Sequence, residues 1–135
     1  TIADCMPLID ENRILISQGI ENIRQTQWIG LKDLLINNNI NLEKIIAEDI
    51  SFVIAPRINA ASRMGNVLNA TELFLSNSPE KRTICLLKLE ERNQARKTIF
   101  AEILHEARQK ISQENSFIWV TDENWSVGLC GLVAG

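Results

Sequence analysis

At 135 residues the chain has the length of one ordinary domain, and 45% apolar with 23% charged residues is typical of a globular protein rather than a disordered one. A formal net charge of −3 argues against a generally basic nucleic-acid-binding surface, so any site for a polyanion has to be local. Three widely spaced cysteines without metal-binding spacing predict reduced thiols, no zinc site and no disulfide in a cytoplasmic protein. No apolar run approaches membrane-spanning length.

Helical periodicity organises the first part of the chain. Pro7 disfavours a long helix in the opening loop. Beyond it, apolar residues at helical spacing and an acidic start at Asp10 predict a helix, and an asparagine run predicts the end of a second one. The predicted helices cover residues 10–25, 28–36, 42–46 and 48–54.

The next segment places two arginines, Arg57 and Arg63, on either side of Asn59. Pro56 suits a first helical turn, so a helix is predicted to begin there. On such a helix the two arginines lie about 120° apart, and both can reach a shallow pocket at the helix start. Arginine matches phosphate oxygens and a helix N-terminus attracts anions, so the segment is a candidate phosphate clamp. A surface helix with two solvated arginines is the alternative.

A long helix is predicted in the second half. Asn77-Ser-Pro-Glu80 combines a capping residue, a proline and an acid, and nothing breaks a helix from there to about Gln113. That helix would be about 50 Å long. Its single apolar stripe is typical of a spacer between two bodies, or of one side of a helical hairpin. Afterwards, β-branched and aromatic residues over 116–121 predict a strand, and the glycine-spaced residues 125–135 predict a loop that turns into a helix.

Few residues outside the arginine segment are candidates for chemistry. The single histidine, His105, lies in the middle of the long predicted helix without a carboxylate or thiol spaced to make it a ligand. Asp4 is an isolated acid among apolar residues, which either caps a turn or points into a metal site whose other ligands lie elsewhere. Gly128 and Gly131 lack the spacing of a nucleotide-binding loop.

Four motifs, in this order and at this spacing, resemble the RecJ family of single-strand-DNA-specific exonucleases, within the DHH phosphoesterase superfamily. They are Thr1-Ile-Ala-Asp-Cys-Met-Pro-Leu8 followed by Glu11-Asn-Arg13; Ala55-Pro-Arg-Ile-Asn-Ala60 with Arg63; Glu91-Arg-Asn93 with Arg96; and Trp125-Ser-Val-Gly-Leu-Cys-Gly-Leu-Val-Ala134. The resemblance covers essentially the whole chain and is to the middle of those proteins. We therefore expect the chain to be a piece of a longer protein.

The resemblance implies a mostly α chain in three parts. Residues 1–76 would be the helical C-terminal part of an α/β DHH catalytic domain, and residues 77–115 a long connecting helix. Residues 116–135 would be the first strand and helix of a DHH-associated α/β domain.

The resemblance also implies roles for individual residues. Asp4 stands in the place of a ligand of the catalytic Mn²⁺ or Mg²⁺ pair. Arg57, Asn59 and Arg63 lie in the segment that borders the active-site groove, which makes them candidates for contacting the DNA backbone.

The last motif begins the substrate-binding wall of the associated domain. There the resemblance implies that Gly128 and Gly131 allow close approach of the DNA backbone. Ser126 departs from the pattern, because many relatives carry histidine after the tryptophan.

The implied function is part of a cytoplasmic exonuclease that hydrolyses single-stranded DNA from 5′ to 3′ by two-metal catalysis, in DNA repair and recombination. The other metal ligands of the family are absent from these residues, so the chain alone is expected to be inactive. One alternative is another DHH phosphoesterase that acts on short oligonucleotides or nucleotides, which the long helix with its Glu-Arg-Asn motif disfavours. The other is a non-enzymatic helical interaction module. Self-association through the long helix is also expected, because a cut domain leaves apolar surface uncovered.

Overall fold

Helices make up most of the structure, a computed structural model that describes residues 1–4, 6–63, 67–111 and 118–135. The predicted mostly helical fold class is confirmed, and no strand occurs in the described ranges. The elements are α1 (Asp10–Arg24), α2 (Ile29–Asn37), a 3₁₀ turn (Leu42–Lys44), a π-helical segment (Asp49–Ile54), α3 (Ala55–Arg63), α4 (Leu68–Leu75), α5 (Pro79–Lys110) and α6 (Val127–Val133). None of the described helices is long and apolar enough to cross a bilayer.

The 32-residue helix α5 is the scaffold of the molecule, as its sequence predicts. Pro79 occupies the first turn, and the Ser78 side chain accepts a hydrogen bond from the Lys81 amide at 3.3 Å. The helix ends at Lys110 rather than near Gln113. Helices α2, α3 and α4 pack against its first half and α6 packs against it nearer the C-terminal end, so α5 fixes the relative position of all four.

The hydrophobic core lies between α2, α4 and the first half of α5. Leu35, Leu73 and Leu89 are each fully buried there. At Gly30, a Cβ atom would lie 2.0 Å from the Leu73 carbonyl oxygen of α4. The missing side chain is therefore what lets α2 approach the backbone of α4 this closely.

The helix that carries the two α3 arginines does not begin at Pro56, which corrects the prediction. The π-helical segment runs directly into α3, and the Ala55 amide donates to the Ile50 carbonyl, five residues back. Proline lacks an N–H and its ring clashes with the carbonyl four residues earlier in an α-helix. A wider π turn before Pro56 accommodates both features, so the helix continues through it. Arg57 is consequently inside a continuous helix and not at a helix N-terminus.

The strand predicted over residues 116–121 is not formed in its described part, residues 118–121. A strand requires a neighbouring strand to accept its ladder hydrogen bonds, and the described residues contain none. Side-chain contacts hold this segment to α5 instead: the Lys110 ammonium is 2.7 Å from the Asp122 carboxylate and 5.0 Å from the Trp125 ring centre. The Trp125 indole also donates to Glu106 at 2.8 Å.

Cys85 and Cys130 are free thiols, as predicted, and Cys5 lies outside the described residues. Cys85 is buried in the core, with Sγ 3.9 Å from a Glu72 carboxylate oxygen. Burial first, and then the charge of Glu72, raise the pKa of the Cys85 thiol above its ordinary value of 9.0.

We expect iodoacetamide to alkylate Cys130 at pH 8 while Cys85 of the folded protein stays unmodified, because the thiolate is the reactive form. Peptide mass spectrometry with and without urea would measure both rates. Equal labelling of both cysteines in the folded protein would contradict the burial of Cys85.

The raised pKa of Cys85 also gives the stability of the protein a pH dependence. The contribution of this thiol to stability is fully present below the unfolded-state pKa and is lost as pH rises through the folded-state pKa.

Candidate nucleic-acid interface

The two arginines of α3 differ in burial and in the groups that they contact. The Arg57 side chain is mostly buried, and its Nε lies 2.7 Å from the Glu90 carboxylate of α5. Its Nη1 also donates to the Val53 carbonyl at 2.8 Å. Arg57 is therefore neutralised and held in place. The prediction that Arg57 and Arg63 share one pocket is not met.

Arg63 is exposed at the end of α3, where it meets α6. Its Nη1 donates to the Gly128 carbonyl at 2.7 Å. Its charge also reaches Arg96 of α5: burial first, and then the proximity of Arg63, lower the pKa of the Arg96 guanidinium. Among the described residues neither arginine forms a salt bridge with a carboxylate. We call Arg63 and Arg96 the arginine pair.

Asn93 orients the second member of the arginine pair. Its side chain is fully buried, and its Oδ1 accepts from Arg96 Nε at 3.4 Å and from Nη2 at 3.2 Å. Its Nδ2 has no hydrogen-bond partner in the described part of the chain. Arg92 lies one helical turn before Arg96 on α5. It donates to the Asn69 amide oxygen at 3.1 and 3.3 Å when that amide is oriented with its oxygen toward the guanidinium. Buried amides thus position the guanidinium groups of this face of α5.

Asn59 belongs with Arg63 and not with Arg57. The two residues are one helical turn apart on α3, so they share a flank, and both are exposed. The sequence predicted that Arg57, Asn59 and Arg63 contact the DNA backbone. The structure groups Asn59 with Arg63 and separates Arg57 from them. Their roles toward a ligand remain predictions.

The two glycines of the last motif have different surroundings. A Cβ on Gly128 would lie 3.0 Å from the Arg63 carbonyl oxygen and 3.7 Å from its Cα. Gly128 therefore lets the start of α6 approach the end of α3. A Cβ on Gly131 would meet no atom within 4 Å, which leaves open space over that backbone. Ser126 occupies the N-cap position of α6 without a side-chain capping bond.

Asp4 is exposed in the opening turn, 3.5 Å from the chain's amino group. No group of three or more histidine, cysteine, aspartate or glutamate side chains in the described ranges is close enough to hold a metal ion. The residues described here therefore do not fit a metal pair by themselves. Asp4 can offer one carboxylate ligand to such a site, and the remaining ligands would have to come from residues other than those that the structure describes.

Sequence reasoning used Arg96 and Asn93 only as parts of a motif and missed them as site residues. A signal was available. Cys85, Leu89 and Asn93 recur at four-residue spacing on α5, and all three are buried. An asparagine in a stripe of apolar residues has to find a hydrogen-bonding partner, and Arg96 is one turn away on the same side.

Comparison with known proteins places this arrangement in context. The chain is 36% identical over 143 residues to the single-stranded-DNA-specific exonuclease RecJ of Haemophilus influenzae, and 30% identical over 137 residues to that of Bacillus subtilis. Both alignments cover 99% of this chain but only 25% and 17% of those proteins. The chain thus spans a quarter or less of these curated relatives. No family model matches it.

Solved structures give the same result at the level of the fold. Crystal structures of RecJ from Thermus thermophilus in complex with Mn²⁺ and with Mg²⁺ both match with a TM-score of 0.88 at 32% identity. The matches cover 99% of this chain and 20% and 21% of those chains. The helical arrangement around α5 is therefore similar to one segment of a larger protein.

Proposed function

Because this chain belongs to the RecJ family, we propose that it is one segment of a metal-dependent exonuclease that hydrolyses single-stranded DNA from 5′ to 3′, in DNA repair and recombination in the cytoplasm. The observation that carries the proposal is the match in sequence and fold over 99% of the chain to RecJ proteins. In this proposal residues 1–76 complete the catalytic domain, residues 77–115 connect, and residues 116–135 open the associated domain.

The arginine pair is the group in this chain that we assign to the DNA backbone. Two guanidinium groups that have no carboxylate partner among the described residues leave local positive charge on a chain whose formal net charge is −3. Burial first, and then the charge of Arg63, lower the pKa of Arg96, and a bound anion would favour its charged form. A phosphate diester relieves the repulsion and accepts hydrogen bonds from both planar forks.

Around that phosphate the other residues have separate tasks. Asn93 holds Arg96 in orientation, and Asn59 is placed to donate from the flank of Arg63. The open space over Gly131 leaves room for a sugar-phosphate backbone to pass close to α6. Arg57, neutralised by Glu90, contributes to the packing of α3 on α5 rather than to the charge of the site.

Asp4 is assigned to the metal site as a single ligand. A bound pair of Mn²⁺ or Mg²⁺ ions would supply a hydroxide at neutral pH and stabilise the charge that develops on the phosphate. The contribution of this chain is one carboxylate and the positioning of DNA. For that reason we expect the 135-residue chain alone to show no Mn²⁺-dependent cleavage, and self-association through α5 stays a prediction for sedimentation to test.

The test uses the full-length protein that carries this segment. Arg63→Ala and Arg96→Ala are each expected to weaken binding of a single-stranded oligonucleotide about tenfold, or about 1.4 kcal/mol. Each should also reduce the slope of log affinity against log salt concentration by about 0.7, the value for one lost phosphate contact on a single strand. Fluorescence anisotropy at several salt concentrations measures both quantities.

Lys81→Ala is the control, since it removes one positive charge from the first turn of α5, away from Arg96 in the middle of that helix. It is expected to leave the affinity and the salt slope almost unchanged. Thermal unfolding of each variant separates a binding effect from a folding defect, which matters because Arg63 also bonds to Gly128. Wild-type affinity in both arginine variants would reject the phosphate assignment, and an unaltered single strand after incubation of the wild-type protein with Mn²⁺ would reject the proposed activity.

A further inference from the structure

A pocket lies beside Arg57 and its ion-pair partner Glu90. Its volume is about 520 Å³, within the range of small-ligand sites. The turn after α2, the π-helical segment, α3 and α5 form its walls. The lining residues are Asn37, Asn38, Asn39, Phe52, Val53, Arg57, Glu90 and Lys97.

Phe52 is the aromatic residue of this pocket, and it is 76% exposed. It lies within the π-helical segment, a rare conformation that occurs frequently at functional sites. An open aromatic face at the edge of a pocket is the feature on which a planar ring can stack.

The polar groups around Phe52 are available to a ligand. The side chains of Asn37, Asn39 and Lys97 are exposed and form no hydrogen bond or ion pair with the described residues. Asn39 is held in a left-handed backbone conformation, with φ of 58°, which fixes the turn that presents these amides. Donors, acceptors and one cation therefore surround the ring.

Rigid groups form the rest of the pocket. The ion pair between Arg57 and Glu90 at 2.7 Å neutralises the carboxylate, so the pocket does not repel an anion. Arg57 is further fixed by its bond to the Val53 carbonyl. A preorganised floor of this kind reduces the entropy that a ligand loses on binding.

We propose that this pocket binds one nucleobase of single-stranded DNA. The base stacks on Phe52, the amides of Asn37 and Asn39 bond to its edge, and Lys97 contacts the neighbouring phosphate. Every base has a flat face and an edge of donors and acceptors, so stacking with amide contacts tolerates any sequence. The inference rests on the proposed function and adds to it a second contact that engages a base rather than the backbone.

The experiment uses the full-length protein and oligonucleotides that carry a single abasic nucleotide at successive positions. One position is expected at which the abasic change weakens binding to the wild-type protein about tenfold, in line with the loss of one aromatic–base stack. Phe52→Leu should weaken binding of the intact strand by the same factor and remove the sensitivity at that position. Phe52→Trp should retain both properties because it keeps an aromatic face.

Leu75→Ala is the matched control, since Leu75 is 75% exposed on α4 and does not line the pocket. It should bind all strands like the wild-type protein. Wild-type affinity in Phe52→Leu, or an abasic effect that persists unchanged in that variant, overturns the proposal, including the case in which the pocket serves a protein partner. Failure of the wild-type protein to bind or degrade the intact strand overturns the proposed function instead, so the two failures are distinguishable.

Discussion

Replacement of Gly30 by alanine is expected to destabilise the fold by about 3 kcal/mol, at the upper end of the usual range for overpacking a core. The added Cβ would lie 2.0 Å from the Leu73 carbonyl oxygen and 2.7 Å from the carbonyl carbon. Both atoms belong to the backbone of α4, which cannot rotate away as a flexible side chain can. Relief requires α2 to move away from α4, which opens the core around Leu35. Urea denaturation followed by circular dichroism measures the change.

Gly19→Ala is the matched control for this prediction. Gly19 lies in the middle of α1, and a Cβ there would meet no atom within 4 Å. The same substitution should therefore stabilise the protein by about 0.5 to 1 kcal/mol through helix propensity alone. Opposite signs at the two glycines are the expected result. Equal effects at the two positions would show that the close approach of α2 and α4 does not govern stability.

The helices could be predicted from the sequence because their signals are local. The four consecutive residues Asn77-Ser-Pro-Glu80 mark the start of α5. In the structure Ser78 caps the helix and Pro79 occupies its first turn. Asn41 directly precedes the 3₁₀ turn Leu42–Lys44, and its side chain caps that turn by accepting from the Glu43 amide at 2.9 Å. Capping groups and apolar spacing act within a few residues of where they are read, so tertiary packing does not alter them.

Two predictions of secondary structure failed because the residues around the segment, and not the segment itself, decide its conformation. Pro56 was read as a helix start, which is its preferred position, but the preceding π turn allows the helix to pass through. Residues 118–121 have the composition of a strand, but pairing depends on a second strand that no local pattern supplies. Neither the wide turn nor the missing partner has a signature within the segment itself.

The site was only partly predictable for a related reason. Motif spacing identified Arg63 but grouped it with Arg57, because both lie in one short segment. The structure separates them by their partners: Arg57 pairs with Glu90 of α5, and Arg63 bonds to the Gly128 carbonyl of α6. The packing of α3 on α5 also brings Arg63 near enough to Arg96, more than thirty residues away in the sequence, for its charge to lower the pKa of that guanidinium after the larger effect of burial. Such a pairing depends on helix packing, which periodicity alone does not specify.

The same packing suggests why the arginine pair sits at the junction of α3, α5 and α6. The bond from Arg63 to the Gly128 carbonyl joins the end of α3 to α6, and Gly128 has no side chain to prevent the approach. A phosphate held by Arg63 would therefore contact the place where the two proposed domain segments meet. If Arg63 holds a phosphate as we propose, DNA binding and the position of α6 would be linked through this one side chain.

Loss of Arg82 is expected to have an effect as large as that of alanine at Gly30, for an electrostatic reason. Arg82 is 6% exposed, with Nε 2.6 Å from the Asp33 carboxylate of α2, and it also donates to the Ser76 carbonyl after α4 at 3.2 Å. Arg82→Met leaves the partly buried Asp33 without its cation and should cost about 3 kcal/mol, the lower end of the range for breaking a buried pair because Asp33 keeps some solvent contact.

Two further variants make the origin of that loss measurable by urea denaturation. Arg82→Met combined with Asp33→Leu removes both charges, and it should recover most of the lost stability because no carboxylate is left behind. Arg24→Met breaks the exposed pair with Glu21, whose side chains are 37% and 49% exposed, and should cost no more than about 1 kcal/mol. If the double variant were as unstable as Arg82→Met alone, the loss would come from the packing of the Arg82 stem and its bond to Ser76, and the ion pair between α2 and α5 would contribute little to the fold.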